Sequence, residues 1–177
     1  NWSPDNTQIA YTDYTPDGHT EIFIANVDGT NRTQLTAQNG VVGSHDWSAD
    51  GKKIVFHMWN GNLSYIDVDT KEVHEILSGA HVFGTLRWSP DDEWIAFPLR
   101  ENENTDMYIV REDGTELTRL TYSQMGDLSP VWSPDGTQIA FLRGDNYDNR
   151  QVVIMEIASK RTIHTGIPAV ALADWKP

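Results

Sequence analysis

The stretch Trp132-Ser133-Pro134-Asp135-Gly136-Thr137-Gln138-Ile139-Ala140-Phe141 decides the fold, because its pattern recurs along the 177-residue chain. The pattern is a tryptophan, a Ser-Pro-Asp-Gly-like segment and an Ile-Ala-Phe-like triplet, and a fifth tryptophan follows the four copies. The tryptophans are Trp2, Trp47, Trp88, Trp132 and Trp175, with spacings of 45, 41, 44 and 43 residues. This period is typical of propeller blades built from four short strands. The chain is therefore predicted to be a tandem repeat.

Each repeat is predicted to contain four strands. Alternating apolar and polar residues, with many β-branched side chains, indicate extended segments in the second repeat at 41–47, 52–57, 61–68 and 72–77. The same frame predicts third strands at 21–27, 106–111 and 151–157, and fourth strands around Leu35, Leu120 and Ile163. No segment shows a helical period.

The turns contain residues with a physical reason for their place. In Ser133-Pro134-Asp135-Gly136, proline presets φ at the second position of a type I turn and glycine relieves the exit. Ala49 replaces this proline in the second repeat and Asp92 replaces the glycine in the third, and both changes are compatible with the same turn. Asp28-Gly29 and Asp113-Gly114 favour two-residue hairpins between third and fourth strands.

Composition excludes several classes of function. The formal charge of −13 disfavours nucleic acid and anionic membranes as partners, and favours a basic partner or a cation. The absence of cysteine excludes disulfides and thiolate metal sites. No run of about 18 apolar residues is present, so no membrane insertion is expected.

The repeat motifs resemble the WD-repeat-like propeller family found in the carboxy-terminal domain of TolB. The resemblance rests on the Trp-Ser-Pro-Asp-Gly and Ile-Ala-Phe segments, on the stretch 17–36, and on its echo at 106–121. It implies an all-β chain that forms one β-propeller domain of four blades with four antiparallel strands each. The repeats cover approximately 2–46, 47–87, 88–131 and 132–174. TolB-like propellers have more than four blades, so the chain is expected to be a smaller relative or a piece of a larger ring.

The first repeat lacks an innermost strand, and the segment 169–175 is predicted to supply one. That segment would pair beside 7–12 of the same chain and close a ring, or pair with the first blade of another molecule. The second arrangement would give a homo-oligomer or a fibre. Both alternatives remain open at the level of sequence.

The tryptophans of the repeat are predicted to pack between blades as part of the core, because they follow its period. Trp59 and Trp94 are out of phase with them. Trp94 occupies a strand position where other repeats have Gln8, Lys53 and Gln138, so it is expected to face outward as a contact surface.

No catalytic motif is found, since neither a glycine-flanked serine nor a paired-histidine metal motif is present. The prediction is a noncatalytic scaffold for protein-protein interaction, without a cofactor or metal. The resemblance implies a periplasmic or extracellular bacterial protein. Three alternatives are self-assembly, a propeller module of a peptidase, and a lyase-type enzyme that holds a metal with histidines such as His45 and His81.

The loops between second and third strands are predicted to gather on one face, opposite the Pro-Asp turns. They form an acidic and aromatic rim that would bind a basic segment of a partner. Its residues are Asp13, Tyr14, Asp17, Trp59, Glu101, Glu103, Asp106, Asp145, Tyr147 and Asp148. The rim carboxylates, with Asn102, Asn104, Asn146 or Asn149, are an alternative Ca²⁺ site, although no loop has a metal-loop spacing. Asn31 and Asn62 lie in glycosylation sequons.

Overall fold

The computed structural model of the protein describes residues 1–101, 103–146 and 148–172. The described residues form four antiparallel sheets, which confirms the predicted all-β fold with four repeating blades. They contain no helix and so no helix able to cross a membrane. The chain divides into two compact units, Asn1–His81 and Val82–Pro177, and each contains two sheets.

The first unit contains blades 1 and 2. The strands of blade 1 are β1 (Gln8–Tyr14), β2 (Thr20–Asn26) and β3 (Thr33–Gln34). Those of blade 2 are β4 (Val42–Trp47), β5 (Lys53–Met58), β6 (Leu63–Asp67) and β7 (Val73–Leu77). Neighbours in sequence are neighbours in each sheet. Apolar side chains of both blades form one core, in which Ile22, Ile54 and Phe56 are fully buried.

The second unit contains blades 3 and 4. Blade 3 consists of β8 (Arg87–Trp88), β9 (Ile95–Glu101), β10 (Asn104–Val110) and β11 (Thr118–Arg119). Blade 4 consists of β12 (Asp127–Trp132), β13 (Gln138–Arg143), β14 (Gln151–Glu156) and β15 (Thr162–Pro168). The core between them contains Met107 and Ile109 of blade 3 and Ile139, Phe141 and Val153 of blade 4.

Blade 1 has three strands, which confirms that the first repeat lacks an innermost strand. Asn1 and Trp2 begin to fill that place, since the amide of Ala10 donates to the Asn1 carbonyl at 2.8 Å and Trp2 bridges Ile9. Of the predicted closing segment 169–175, residues 169–172 belong to no strand, and 173–175 lie outside the described residues.

Three repeat tryptophans are buried core residues, as predicted: Trp47, Trp88 and Trp132. In the first unit the Trp47 indole donates to the carbonyl of Asn1 at 3.3 Å. In the second unit the Trp132 indole donates to the carbonyl of Arg87 at 3.3 Å. Each acceptor is the residue that precedes the tryptophan of the previous repeat. Within each unit, the indole ring therefore connects the two blades by packing and by a hydrogen bond.

The other tryptophans depart from the predictions. Trp2 is 61% exposed, so its assignment to the core is wrong. The indoles of Trp47 and Trp132 contact the repeat before their own, and blade 1 is the first blade that the structure describes. Trp94 is half-buried and packs against the core of the second unit, with the Arg111 guanidinium 4.4 Å from its ring centre. The ring is therefore packed against the core on one side and partly covered by Arg111, so the prediction of an open contact surface there is wrong. Trp175 lies outside the described residues.

A buried serine organises every Ser-Pro-Asp-Gly-like turn. The Ser133 hydroxyl donates to the Asp135 carboxylate at 2.6 Å and accepts the Gln138 amide at 2.9 Å, while Asp135 accepts the Thr137 amide at 3.0 Å. The same contacts occur at Ser3-Asp5-Gln8, Ser48-Asp50-Lys53 and Ser89-Asp91-Trp94. The Ala49 and Asp92 variants keep this turn, as predicted.

Glycine at the turn exit has both a conformational and a steric role. Gly51 and Gly136 have φ of 72° and 70°, in the left-handed region that favours glycine. Each also faces the proline of the preceding turn in its unit, because a Cβ there would lie 3.6 Å from Pro4 and 3.5 Å from Pro90. Consecutive turns therefore pack on one another within each unit.

The Asp-Gly loops differ from the predicted two-residue hairpins. The amide of Asn26 donates to the Thr30 carbonyl at 2.9 Å, which leaves three residues in the loop, and Arg111 pairs with Thr115 in the same way at 3.1 Å. Only the glycine has positive φ in each loop. A two-residue type I′ turn needs positive φ at both positions, whereas a type I turn with a following left-handed glycine needs it at one.

We expect Ser133→Ala to lower the free energy of unfolding by about 1–3 kcal/mol, because the partly buried Gln138 amide loses its acceptor. Urea denaturation measures the change. The control is Ser159→Ala, which removes an exposed hydroxyl bonded to Glu156 and is expected to change stability by less than about 0.5 kcal/mol. Equal effects of the two substitutions would contradict a structural role for the buried serine.

The turns also predict acid sensitivity. The hydrogen bond from Ser133, with those from Thr137, lowers the pKa of Asp135 from 3.8 to about 2. Because the folded protein favours the ionised carboxylate, this stabilisation is complete above pH 3.8 and is lost as the pH falls toward about 2. Urea denaturation across this range should show a smaller pH dependence for Asp135→Asn than for the natural sequence. An unchanged pH dependence would contradict the assignment.

Candidate partner-binding surface

The hairpin loops of the first unit lie at the same end as the segment that joins its blades. The amide of Thr20, at the start of β2, donates to the Gly40 carbonyl at 3.1 Å, and the amide of Trp59 donates to Val41 at 3.0 Å. The Pro-Asp turns occupy the opposite end. The predicted gathering of loops on one face is thus confirmed within this unit, and we call that face its loop end.

The second unit has an equivalent loop end. The amide of Gly144, after β13, donates to the Gly126 carbonyl at 2.9 Å, and the amide of Ser123 donates to the Asp106 carboxylate at 3.2 Å. The segment 121–126, which joins blades 3 and 4, therefore contacts both hairpins.

At the loop end of the first unit, two aromatic rings are open to solvent. Tyr14 is 73% exposed and Trp59 is 78% exposed. Asp17 is exposed and makes no ion pair with any described residue, whereas Asp13 pairs with Arg32 at 2.9 Å and remains half exposed. Four of the predicted rim residues are therefore accessible here.

At the loop end of the second unit, the predicted carboxylates Glu101, Glu103, Asp145 and Asp148 are exposed. Asp145 also accepts the Gly126 amide at 3.3 Å. Burial, together with a hydrogen bond to Glu101, raises the pKa of Tyr108 to about 12. Tyr147, the aromatic residue predicted here, lies outside the described residues, as does Asn102.

Asp106 does not belong to the accessible surface, so its assignment to the rim is wrong. Asp106 is 3% exposed. Its carboxylate accepts hydrogen bonds from Arg119 Nη2 at 2.6 Å, from the Thr121 hydroxyl at 3.2 Å and from the Ser123 amide. It fixes the start of the segment that leads to blade 4. Burial with these donors makes Asp106 a structural residue.

Glu21 has the same role in blade 1. It is buried, and its carboxylate accepts the Thr36 hydroxyl at 2.5 Å and the Asn39 amide at 2.8 Å. In both blades an acid near the start of the second strand precedes a Leu-Thr pair by fourteen residues. This repeated pairing is the sequence signal that would have identified both acids as structural.

Sequence reasoning also missed a buried ion pair in blade 4. Asp127 is fully buried, and Arg143 donates to its two oxygens from Nε at 2.7 Å and Nη2 at 2.8 Å. Burial raises the pKa of Asp127, and the hydrogen bonds from Arg143 and Thr121 oppose that rise. The bidentate geometry is that of an ionised pair.

The other candidates give little support for metal chemistry. His45 Nε2 lies 3.2 Å from the Ala10 carbonyl, and His81 is exposed. Among the described residues, no group of three or more His, Asp or Glu side chains is arranged to hold a metal ion.

The two sequon asparagines differ in environment. Asn31 is exposed, with φ of 57°. The Asn62 amide nitrogen, the atom that would carry a glycan, donates to Glu75 at 3.0 Å, and its oxygen accepts the Gly79 amide. Asn31 is thus the more accessible acceptor, and modification of either remains a prediction.

We expect Asp106→Asn to lower the free energy of unfolding by about 3 kcal/mol, because Arg119 and two further donors lose a buried charged acceptor. The matched control is Asp17→Asn at the exposed loop of blade 1, with an expected change below about 0.5 kcal/mol. Chemical denaturation of both variants tests the distinction. Similar stability of the two variants would contradict a structural role for Asp106.

Comparison with known proteins agrees with this architecture. The chain is 30% identical over 149 residues to "Protein TolB homolog" of Chlorobium luteolum, which covers 82% of this chain and 33% of that protein. It is also 30% identical over 118 residues to "Putative Tricorn-like protease C-terminal subunit" of Sulfurisphaera tokodaii, covering 66% of this chain and 14% of that one. The chain thus spans a third or less of these relatives.

Solved structures show the same fold. TolB from Acinetobacter baumannii superposes with a TM-score of 0.78 over 92% of this chain and 41% of that chain, at 23% identity. The family model described as TolB beta propeller domain matches residues 21–167, which includes the second and third strands of blade 1, the whole of blades 2 and 3, and nearly all of blade 4. On this match and on the four repeated sheets, the chain belongs to the TolB beta propeller domain family.

Proposed function

We propose that this chain is a noncatalytic TolB-like propeller module, a single domain over 1–177, that binds a protein partner through its loop ends. The observation that carries the proposal is the exposure of Tyr14 and Trp59 at the loop end of the first unit. Large aromatic side chains contribute disproportionately to protein interfaces, because each buries a wide apolar area at a low cost in conformational entropy.

The partner is proposed to present a basic segment. Asp17, Glu103 and Asp148 are exposed and make no ion pair with any described residue, and the chain carries a formal charge of −13. These carboxylates would accelerate encounter with a basic partner, and the aromatic rings would then supply affinity. The resemblance to TolB supports a periplasmic or extracellular location, which fractionation of the source cells would test.

We expect Trp59→Ala to weaken binding of a captured partner by about 30-fold, the effect of losing a central aromatic contact. Trp2→Ala is a matched control, because Trp2 is also exposed but lies at the turn end of the same unit. Isothermal titration calorimetry measures both affinities. In a separate kinetic measurement, added salt should lower the association rate constant of the natural sequence, because it screens the exposed carboxylates. Unchanged affinity of Trp59→Ala, or equal loss in Trp2→Ala, would refute the loop end as the binding surface.

Self-association is a second candidate function. Exposed Trp2 lies beside the partly filled inner place of blade 1, and the outer strand β15 has exposed Ile163 and Ile167. If terminal strands pair between molecules, the mass measured by light scattering rises with concentration above 20.0 kDa, and electron microscopy shows rings or fibres. A constant mass near 20.0 kDa would remove this candidate.

A peptidase-associated module is a third candidate, favoured by the similarity to the tricorn-like protease subunit of Sulfurisphaera tokodaii. In that role the propeller would serve a catalytic domain elsewhere in a longer chain. Sequencing the gene beyond both ends of the present chain tests it, because a neighbouring peptidase domain would support this role and its absence would exclude it.

A further inference from the structure

Blade 4 contains an open cavity of about 260 Å³ at the loop end of the second unit, with Val153 buried at its base and mostly exposed side chains around it. It lies on the face that packs against blade 3, since Val153 contributes both to that core and to the cavity wall. Arg143 follows Phe141 by two residues on β13 and therefore points to the same face. The lining residues are Met125, Arg143, Asn149, Gln151, Val153 and His164.

The corresponding space in blade 2 is closed. Met58 stands four residues after the motif isoleucine, as Arg143 does in blade 4, and it pairs with Val42 as Arg143 pairs with Asp127. The Met58 methyl group covers Gly40 so closely that a Cβ there would collide with it. The Asn62 amide, at the position of Gln151, donates to Glu75. Apolar packing and an internal hydrogen bond thus replace the cavity.

Blades 1 and 3 also have a different side chain at the position of Arg143. In blade 3 the residue is Leu99, which is buried opposite Asp106 and its donors. In blade 1 it is Asp13, which pairs with Arg32. Blade 4 therefore departs from the other repeats at this position, since blades 2 and 3 have a buried apolar side chain there, blade 1 has a surface ion pair, and blade 4 has an arginine beside unfilled space.

The lining of the cavity is polar but close to neutral. Arg143 uses Nε and Nη2 on Asp127, which compensates its charge and leaves Nη1 as a donor. The Gln151 carboxamide and the His164 imidazole make no hydrogen bond with a described residue, and Asn149 uses its oxygen on the Asn146 amide at 3.1 Å. Several donors and acceptors are thus available beside the apolar surfaces of Met125 and Val153.

Hydrogen-bonding capacity and the nearby charges decide which small group fits this lining. An ammonium group has no acceptor for the Arg143 Nη1 donor, whereas a carboxylate has no donor and would approach the exposed Asp145 and Asp148 on the adjoining loop. A neutral group that both donates and accepts, attached to a short apolar chain, avoids both mismatches. A primary carboxamide has this chemistry.

We infer that the blade 4 cavity is a binding site for a small uncharged carboxamide, such as the side chain of a glutamine. The volume fits one such group, since it lies below the range of about 300–1,000 Å³ typical of sites for drug-sized ligands. The site goes beyond the proposed function, because it does not require Trp59 or any residue of the first unit.

Propionamide is the probe, and propionate is its charged counterpart of nearly equal shape. Titration of isotope-labelled protein, followed by NMR, is expected to give saturable shifts of the Gln151 and Asn149 side-chain amide signals with propionamide. Propionate should bind at least about tenfold more weakly. Absence of saturable shifts with propionamide, or equal or tighter binding of propionate, would overturn the inference.

The repeats supply the matched variant. Asp127→Val with Arg143→Met copies the Val42 and Met58 pair of blade 2, so both charges disappear together and the cavity loses its guanidinium donor. Circular dichroism establishes that the variant folds. It should lose the propionamide shifts, and retention of them would contradict the site.

His164→Ala tests the wall of the cavity without changing the ion pair. Its control is His74→Ala, which alters the histidine stacked on Tyr65 in the outer strand of blade 2. We expect His164→Ala to weaken propionamide binding several-fold and His74→Ala to leave it unchanged. Equal behaviour of the two variants would exclude His164 from the site and overturn the proposed lining.

Discussion

The four blades depend on the hydrogen bonds that the buried serine of each Pro-Asp turn makes through its hydroxyl group. Its hydroxyl donates to an aspartate two residues on and accepts an amide five residues on, so one side chain closes the turn and sets the register of the first hairpin. A buried amide without an acceptor is costly, which leaves few alternatives at that position. The Ile-Ala-Phe triplet begins one residue after this amide, and the register therefore places its isoleucine in the core.

Most of the fold follows from this repetition, and the departures have local causes. The strands agree with the predicted frame because period and turn chemistry specify the same boundaries. The Asp-Gly loops are one residue longer than predicted, since both loop types use glycine and the sequence does not fix the φ of the residue before it, which differs between them. Trp2 matches the motif but lacks its packing surface, and a motif contains no information about the residues that surround it.

The candidate surface was predictable in location but not in every member. Tyr14 and Trp59 follow from loop position alone, because nothing in a polar hairpin tip covers a large ring. Asp106 was predicted on the same grounds as the rim carboxylates that are accessible. Donors from Arg119, Thr121 and Ser123 nevertheless enclose its carboxylate. The pairing of Asp127 with Arg143, and the cavity beside it, depend on strands that meet only after folding. The local sequence pattern predicts where a residue lies in a strand or loop. Whether a carboxylate there is buried depends on partners that are distant in sequence.

The indole bond between consecutive repeats has an evolutionary consequence. In both described bonds, donor and acceptor occupy the same positions of their repeats: the tryptophan and the residue that precedes the tryptophan before it. Duplication or deletion of one whole repeat would therefore preserve each such bond, since the new neighbours offer the same two atoms. A change of blade number in steps of one whole repeat would thus keep this contact. The same bond spans 46 residues in the first unit and 45 in the second, so the loops within a repeat can differ in length without separating donor from acceptor.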